Sequence, residues 1–296
     1  MDRLDALKVF CSVVEAGGFS RAADRLGIST SSVTNQISAL EAHFRAKLLN
    51  RTTRSMSLTA EGQQCYAQAL QLLSGMNELE SSLLQSGQLA AGILRVDMPS
   101  IICRKFIAPA LPRFLEAYPE VALKITVMDR MIDMVEEGID VLIRIGDLPD
   151  SNLIARTVFQ TSYVCCAAPA FIARHGAVET PQQLSQFACL GFLNPKSGTV
   201  RPWQFAQGGQ SYSHAPQGAL AMNHVESLIA AAQAGCGIIQ QLSVSLQEPV
   251  REGVLTPLLQ DWAAPGPALS VLSQQKHHRS AKIRAFVDFV ADVFNA

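Results

Sequence analysis

The sequence predicts an α/β protein with a small helical domain at its N-terminus and two α/β lobes behind it. Three patterns in the 296 residues predict this. Residues 1–60 carry apolar positions at helical spacing, broken by glycines. Residues 60–86 carry one long apolar stripe. From residue 93 onward, short β-branched runs alternate with helical stretches, which is the pattern of sheets covered by helices.

Composition narrows the function classes. Hydrophobic residues make up 48% and charged residues 17%, which fits a globular chain with cores of its own. The opening MDRLDALKVF carries acidic residues, Asp2 and Asp5, and lacks the apolar stretch of a signal peptide. No run reaches the roughly 18 apolar residues of a membrane span. The expected location is the cytoplasm, with no membrane partner. Seven cysteines at irregular spacing, without CxxC, and six histidines without HExxH argue against a disulfide framework or a zinc site. His277 and His278 beside Lys276 and Arg279 read as a solvated basic cluster. No Walker motif, GxSxG or dinucleotide fingerprint is present. The expectation is a non-enzyme with no catalytic residues, no metal site and no cofactor.

The net charge of −1 hides an asymmetry. Residues 1–60 carry eight Lys/Arg against five Asp/Glu, and the rest carry sixteen against twenty. A basic small module on an acidic body points to nucleic acid at one end only.

The first helix follows from Leu4, Leu7, Phe10, Cys11 and Val14, and Gly17-Gly18 stops it. FSRAADRLGISTSSVTNQISALE (19–41) then predicts two more helices. Ser20 is placed to cap the first of them, 21–26, where Ala22-Ala23 permits close packing. Gly27 suits the left-handed turn that ends it. Ser29 is placed to cap the next helix, which reaches about residue 44. At 100° per residue, Val33, Ile37, Leu40 and Phe44 face the core. Ser31, Thr34, Asn35 and Ser38 face outward. Such a face costs helix propensity compared with Glu and Lys. It suits close approach to base edges, where Asn pairs with adenine and hydroxyls serve several bases. The stretch reads as a helix, a turn and a recognition helix, with an ordinary three-helix unit as the alternative. LLNRTTRSMSLTAEG (48–62) tips the balance. It places Arg51, Thr52, Thr53 and Arg54 in a turn between short strands, as a wing whose arginines meet phosphates or a narrow minor groove.

Residues 1–60 thus resemble the winged helix-turn-helix domain of LysR-type transcriptional regulators. The resemblance rests on Phe19-Ser20, Ala22-Ala23, Leu26, Ile28-Ser29, Val33-Thr34, Gln36-Ile37, Leu40-Glu41, Leu48-Leu49, Arg51, Leu58-Thr59 and Gly62. It implies that Thr30, Ser31, Thr34 and Asn35 face the major groove and that Arg51 and Arg54 contact the backbone or minor groove; Ser29, Ser32, Gln36, Ser38 and Thr53 beside them complete the candidate DNA-binding residues. Double-stranded DNA with a roughly palindromic site is the implied partner. The family often has Gln-Pro where this chain has Thr30-Ser31, and Arg where it has Asn35.

Thr59 is placed to cap a long helix over about 60–86. Its positions Cys65, Ala69, Leu72, Met76, Leu79 and Leu83 are spaced 4, 3, 4, 3, 4, an a/d seam for a partner helix. A second stripe, Tyr66, Leu70 and Leu73, suits packing back on the winged domain. SGQLAAG (86–92) reads as a hinge. The expected division is 1–59, then 60–91, then 92–296. The last part splits into a first lobe of about 92–160 plus 267–296 and a second of about 161–266.

In the body, strands are predicted at 93–98, 122–127, 141–145, 163–168 and 269–273. Helices are predicted at 104–118, 131–137, 225–235 and 280–294. Pro109 and Pro112 imply that the first of these is broken or starts late. The alternation predicts parallel sheets, with a ligand crevice at the strand ends. The candidate ligand residues are Pro99, Ser100, Ile101, Arg144, Gly146, Phe192, Asn223 and His224. Ser100 and Asn223 stand where helices begin, so their N–H groups suit an anion. Arg144 suits a carboxylate. For each residue taken singly, a helix cap or a structural ion pair is the plainer reading.

PRFLEAYPEVAL (112–123), the run from Asp133 to Gly146 and AAAQAGCGI (230–238) extend the resemblance to the LysR-type effector domain. It implies two lobes similar to periplasmic solute-binding proteins, crossover strands near 157–163 and 265–269, and a small-molecule effector between the lobes. It also implies a homo-oligomer, a dimer of dimers, with contact to RNA polymerase as a possible output. The rival readings are a ligand-binding receptor or transport component, an enzyme with an appended DNA-binding domain, and a regulator that needs no effector. Adjacent Cys165 and Cys166 point to opposite faces of a strand, so Cys103 is the better candidate thiol, against a default of inert burial.

Overall fold

The structure is a computed structural model. It describes residues 2–51, 56–83, 90–129, 132–134, 137–146, 153–194, 197–274 and 280–295. Thr52, Thr53, Arg54, the centre of the expected hinge, and His277 and His278 lie outside the described residues.

Three helices open the chain: α1 (Arg3–Ala16), α2 (Phe19–Leu26) and α3 (Thr30–Phe44). Asp2 caps α1 by accepting the Leu4 N–H at 2.9 Å, and Gly17 ends it in the left-handed conformation. Ser20 does not cap α2. The helix starts two residues earlier, at Phe19 after Gly18, so Ser20 lies inside its first turn. Ala22 and Ala23 are buried as expected, and Gly27 adopts φ 67° at the exit. Ser29 caps α3, accepting the Ser32 N–H at 3.1 Å. Val33, Ile37 and Leu40 are buried, but Phe44 is exposed. It is the last helical residue, and Arg45 turns the chain away at φ 52°.

The wing strands β1 (Leu49–Arg51) and β2 (Met56–Leu58) pair antiparallel. Then α4 runs from Ala60 to Leu83. The Thr59 hydroxyl donates to the Lys47 carbonyl at 2.6 Å and accepts the Gly62 N–H at 2.8 Å. Gly62 is required by contact: a Cβ there would lie 1.9 Å from the Leu48 carbonyl oxygen. Ala69 and Leu70 are buried in the winged-domain core, with Cys65, Tyr66 and Leu73 packed against it. The first turns of the expected seam are therefore spent inside the chain's own domain. Leu72, Met76 and Leu79 are exposed.

The body continues with β3 (Gly92–Met98), α5 (Ser100–Ile102), a π turn (Cys103–Ile107) and α6 (Ala108–Ala117), which run on as one helical stretch. It starts at Ser100 rather than 104. Its break is the π turn, where the Ala108 N–H reaches back to the Cys103 carbonyl. Pro109 has no N–H for the Lys105 carbonyl and its ring crowds that oxygen, so widening the turn relieves the clash. β4 (Val121–Val127), β5 (Val141–Ile145) and β6 (Leu153–Ala167) follow. Between β4 and β5 the described residues Met134, Glu137 and Gly138 lie in turns, not in a regular helix.

The second lobe comprises α7 (Pro169–His175), a short 3₁₀ turn (Pro181–Gln186), β7 (Gly191–Phe192), β8 (Trp203–Gln207), β9 (Gln210–His214), β10 (Ala221–Met222), α8 (Val225–Gln233), β11 (Ile239–Leu242), α9 (Ser243–Arg251) and β12 (Thr256–Leu258). β13 (Pro265–Gln274) returns to the first lobe, and α10 (Ala281–Asn295) closes on it. The main sheet has the order β11-β6-β13-β5-β3-β4, with β12 also on β6. It is mixed rather than parallel. β3 runs parallel to β4 and β5, while β13 is antiparallel to β5 and β6. The reason is that β6 and β13 are the two crossovers. β6 pairs with β13 over its first part and with β11 and β12 over its last part.

Candidate nucleic-acid interface and effector cleft

The outward face of α3 is built as its residue types suggest. Ser31, Asn35 and Ser38 are exposed, and Ser32, Thr34 and Gln36 are half-buried. Ser29 and Ser31 share a hydrogen bond at 2.9 Å, and the Thr34 hydroxyl donates to the Thr30 carbonyl at 2.9 Å. The Thr34 donor is therefore spent inside the helix, leaving its hydroxyl oxygen as an acceptor only. Ser29, Ser31, Ser32, Asn35 and Gln36 share an open groove of about 540 Å³ with Asp2 and Asp5. These two carboxylates disfavour a phosphate in that groove. Of the wing residues, the structure describes only the backbone of Arg51, paired with Met56.

Glu41 joins recognition helix to wing. Its carboxylate is 5% exposed and accepts the N–H groups of Leu48 at 3.0 Å and Leu49 at 3.3 Å, with the Lys47 ammonium at 2.9 Å. Burial alone would raise this carboxyl, but Lys47 and the two N–H donors outweigh it and hold the group below its usual range.

In the body, Pro99 and Ser100 follow β3, Gly146 follows β5, Phe192 ends β7 and Asn223 follows β10. Pro99 is half-buried, and Ile101 is buried within the main core rather than lining open space. The N–H and hydroxyl of Ser100 both donate to the Asp129 carboxylate, at 3.0 and 2.7 Å. The seat expected for a ligand anion is thus taken by a protein carboxylate. Arg144 is ion-paired with Asp97, which is 1% exposed and also accepts from the Thr126 hydroxyl at 2.5 Å. The structural pairing is the one realised there. Gly146 ends β5 at φ 137°. Asn223 does not cap α8; His224 does, its Nδ1 accepting the Ser227 N–H at 3.3 Å. Ion pairs then cross between the lobes, from Arg104 to Glu226 on α8 and from Lys105 to Glu248 on α9.

One residue beside Phe192 was missed by the sequence reading. Arg201 lies with its guanidinium carbon 5.6 Å from the Tyr163 ring centre and 5.1 Å from that of Phe192. Tyr163 stands where β6 enters the second lobe, opposite Leu242. Phe192 ends β7. Burial pushes the Arg201 guanidinium down from its usual range, with Tyr163 opposing the shift. Among the described residues no carboxylate pairs with it. TVRPWQF (199–205) offers no periodicity or motif that singles out this arginine.

Cys165 and Cys166 face different cores, as alternation requires, and burial pushes Cys166 up to about 12 and Cys165 well above its usual value. Burial also raises Cys103. No group of three metal-ligating side chains occurs among the described residues, and no helix among them is long and apolar enough to cross a membrane.

Comparison with known proteins agrees with this architecture. Residues 4–63 match the bacterial regulatory helix-turn-helix domain of the lysR family, and residues 87–295 match the LysR substrate binding domain. An HTH-type transcriptional repressor of Pseudomonas aeruginosa is 35% identical over 99% of this chain and 93% of its own. The solved structure of CrgA, a LysR-type transcriptional regulator from Neisseria meningitidis, is 31% identical, with 99% of each chain covered and a TM-score of 0.63. A full-length OxyR variant from Pseudomonas aeruginosa shares the fold at a TM-score of 0.71 and 16% identity, over 99% of this chain and 94% of that one. The chain belongs to the LysR family and is a DNA-binding transcriptional regulator with an effector-binding C-terminal domain.

Proposed function

We propose that this regulator reads a roughly palindromic DNA site with the Ser31, Asn35 and Ser38 face of α3, as a cytoplasmic homo-oligomer joined through Leu72, Met76 and Leu79 of α4. A dimer of dimers places two pairs of recognition helices on one duplex. The observation that carries the reading is the exposed, uncharged, hydrogen-bonding face of α3 beside carboxylates rather than lysines. Base edges suit that face and phosphates do not.

The effector is a small acidic molecule held between the lobes, with its acid on Arg201 and its body against Phe192 and Tyr163. Ser100 and Arg144 do not take the acid, because Asp129 and Asp97 already match them. The effector acts by population shift. It binds one arrangement of the lobes more tightly, the spacing of the DNA-binding pairs changes, and contact with RNA polymerase changes with it. The protein needs no cofactor and turns nothing over.

The test is to mix the purified protein with fragmented DNA of its own genome at physiological salt and sequence what it retains. Discrete fragments sharing a short inverted repeat are expected. Diffuse retention that salt abolishes would mean phosphate attraction alone and would overturn the assignment of α3.

A further inference from the structure

One carboxylate ties the winged domain to the first lobe by ion pairs. Glu15 of α1 meets Arg25 of α2 at 3.1 Å, Arg95 of β3 at 2.7 Å and Lys124 of β4 at 2.6 Å. Burial alone would raise the Glu15 carboxyl, but Lys124 and then Arg95 hold it below its usual range. Three cations therefore share one anion.

Beside this knot lies a cavity of about 310 Å³. α1, α2 and α4 line one side, and β3 and α10 line the other. Two donors in its lining lack a full set of acceptors. Lys282 is 5% exposed, gives one N–H to the Ile93 carbonyl at 2.7 Å, and meets no carboxylate among the described residues. An ammonium carries three donors. Ser12 is 7% exposed, and its Oγ has no hydrogen-bond partner among the described residues. Leu70 and Leu73 supply apolar wall.

A buried ammonium beside an excess of cationic charge is costly without a counter-ion. We infer that this cavity is a second ligand site, separate from the interlobe cleft, for a small organic anion whose acid meets Lys282 and Ser12 and whose apolar body meets Leu70 and Leu73. The volume is near the lower end for small-molecule sites, which suits a single-ring or short-chain acid. Its two walls belong to two domains, so occupancy depends on how they pack. By linkage, such an acid and DNA change each other's affinity by the same factor.

The test is calorimetry on the full chain without DNA, with benzoate as the probe and acetate as the control without an apolar body. Benzoate is expected to bind at least tenfold tighter than acetate. Lys282→Met is expected to weaken benzoate about tenfold and Ser12→Ala about threefold, in line with lost charged and neutral hydrogen bonds. Arg201→Met is expected to remove only the cleft's share of the heat and to leave the binding that Lys282→Met and Ser12→Ala weaken, which separates this cavity from the cleft. If Lys282→Met fails to fold, Ser12→Ala decides. The inference is overturned by absent heat at millimolar benzoate, by equal binding of acetate, by binding that Ser12→Ala leaves intact in the Arg201→Met background, or by loss of all benzoate binding in Arg201→Met.

Discussion

Glu41 of α3 accepts the backbone N–H of Leu48 at 3.0 Å, so the recognition helix and the first wing strand share one buried carboxylate. Glu41→Ala leaves the N–H groups of Leu48 and Leu49 without their partner. An unsatisfied buried donor costs about 1–3 kcal/mol. The winged domain is expected to lose roughly that much in urea unfolding, and DNA affinity is expected to fall for all sequences alike. Unchanged unfolding with lost binding would instead place Glu41 at the DNA.

The same carboxylate sets a pH dependence. Its folded pKa lies below its unfolded value. Its contribution is therefore fully present above the unfolded pKa, about 4.3 for Glu, and is lost as pH falls through the folded value. Glu15 has the same sign. The gap in melting temperature between the natural chain and Glu41→Gln is expected to be widest near neutral pH and to close on acidification below the unfolded pKa. A gap that widens in acid would reverse the assigned shift.

Local patterns were legible in the sequence and long-range charge matching was not. Ser29 as a cap, Val33, Ile37 and Leu40 as a buried stripe, and Gly27 as an exit all follow from residues within a few turns of each other. So do the wing strands and the exposed Leu72 and Met76. Phe44 was misplaced because the left-handed turn at Arg45 is not encoded by a glycine. The cleft was harder. Arg144 finds Asp97 at a separation of 47 residues, Ser100 finds Asp129 at 29 and Arg104 finds Glu226 at 122. No spacing rule reaches that far, so two of the expected anion seats turned out to be occupied from within.

Asn35→Ala probes the outward face of α3. An exposed amide pairing with a base edge discriminates by about 1–3 kcal/mol. Binding to the selected site is expected to weaken by that amount, while binding to unrelated DNA stays within about a factor of two and keeps its salt slope. Titrations on both duplexes at several salt concentrations check this. Equal losses on both would show that Asn35 only positions the helix.

Leu72 is 58% exposed and Met76 36%, one helical turn apart on α4. Replacing both by Glu puts two carboxylates into any apolar seam formed there and leaves the chain's own core untouched. The doubly substituted protein is expected to sediment as a smaller species and to bind a full inverted repeat much more weakly than the natural chain does. An unchanged sedimentation coefficient would place the oligomer contact elsewhere.

Arg201 offers the sharpest separation of structure from function. Its guanidinium is half-buried between Tyr163 and Phe192 and has no carboxylate partner among the described residues. Cation–π contact at such a site returns about 1–2 kcal/mol, against a desolvation cost of several. Arg201→Met keeps an apolar chain of similar length between the rings and removes the uncompensated charge. The ligand-free variant is therefore expected to unfold at the same temperature as the natural chain or higher, by a few degrees for each kcal/mol gained. At the same time, stabilisation by cleft-binding acids is expected to disappear, since no anion seat remains in the cleft. Thermal unfolding of both proteins across a panel of small carboxylic acids reads both effects. A ligand-free variant that melts well below the natural chain would mean that the stacked guanidinium holds the second lobe together, and that the acid must be sought at another residue.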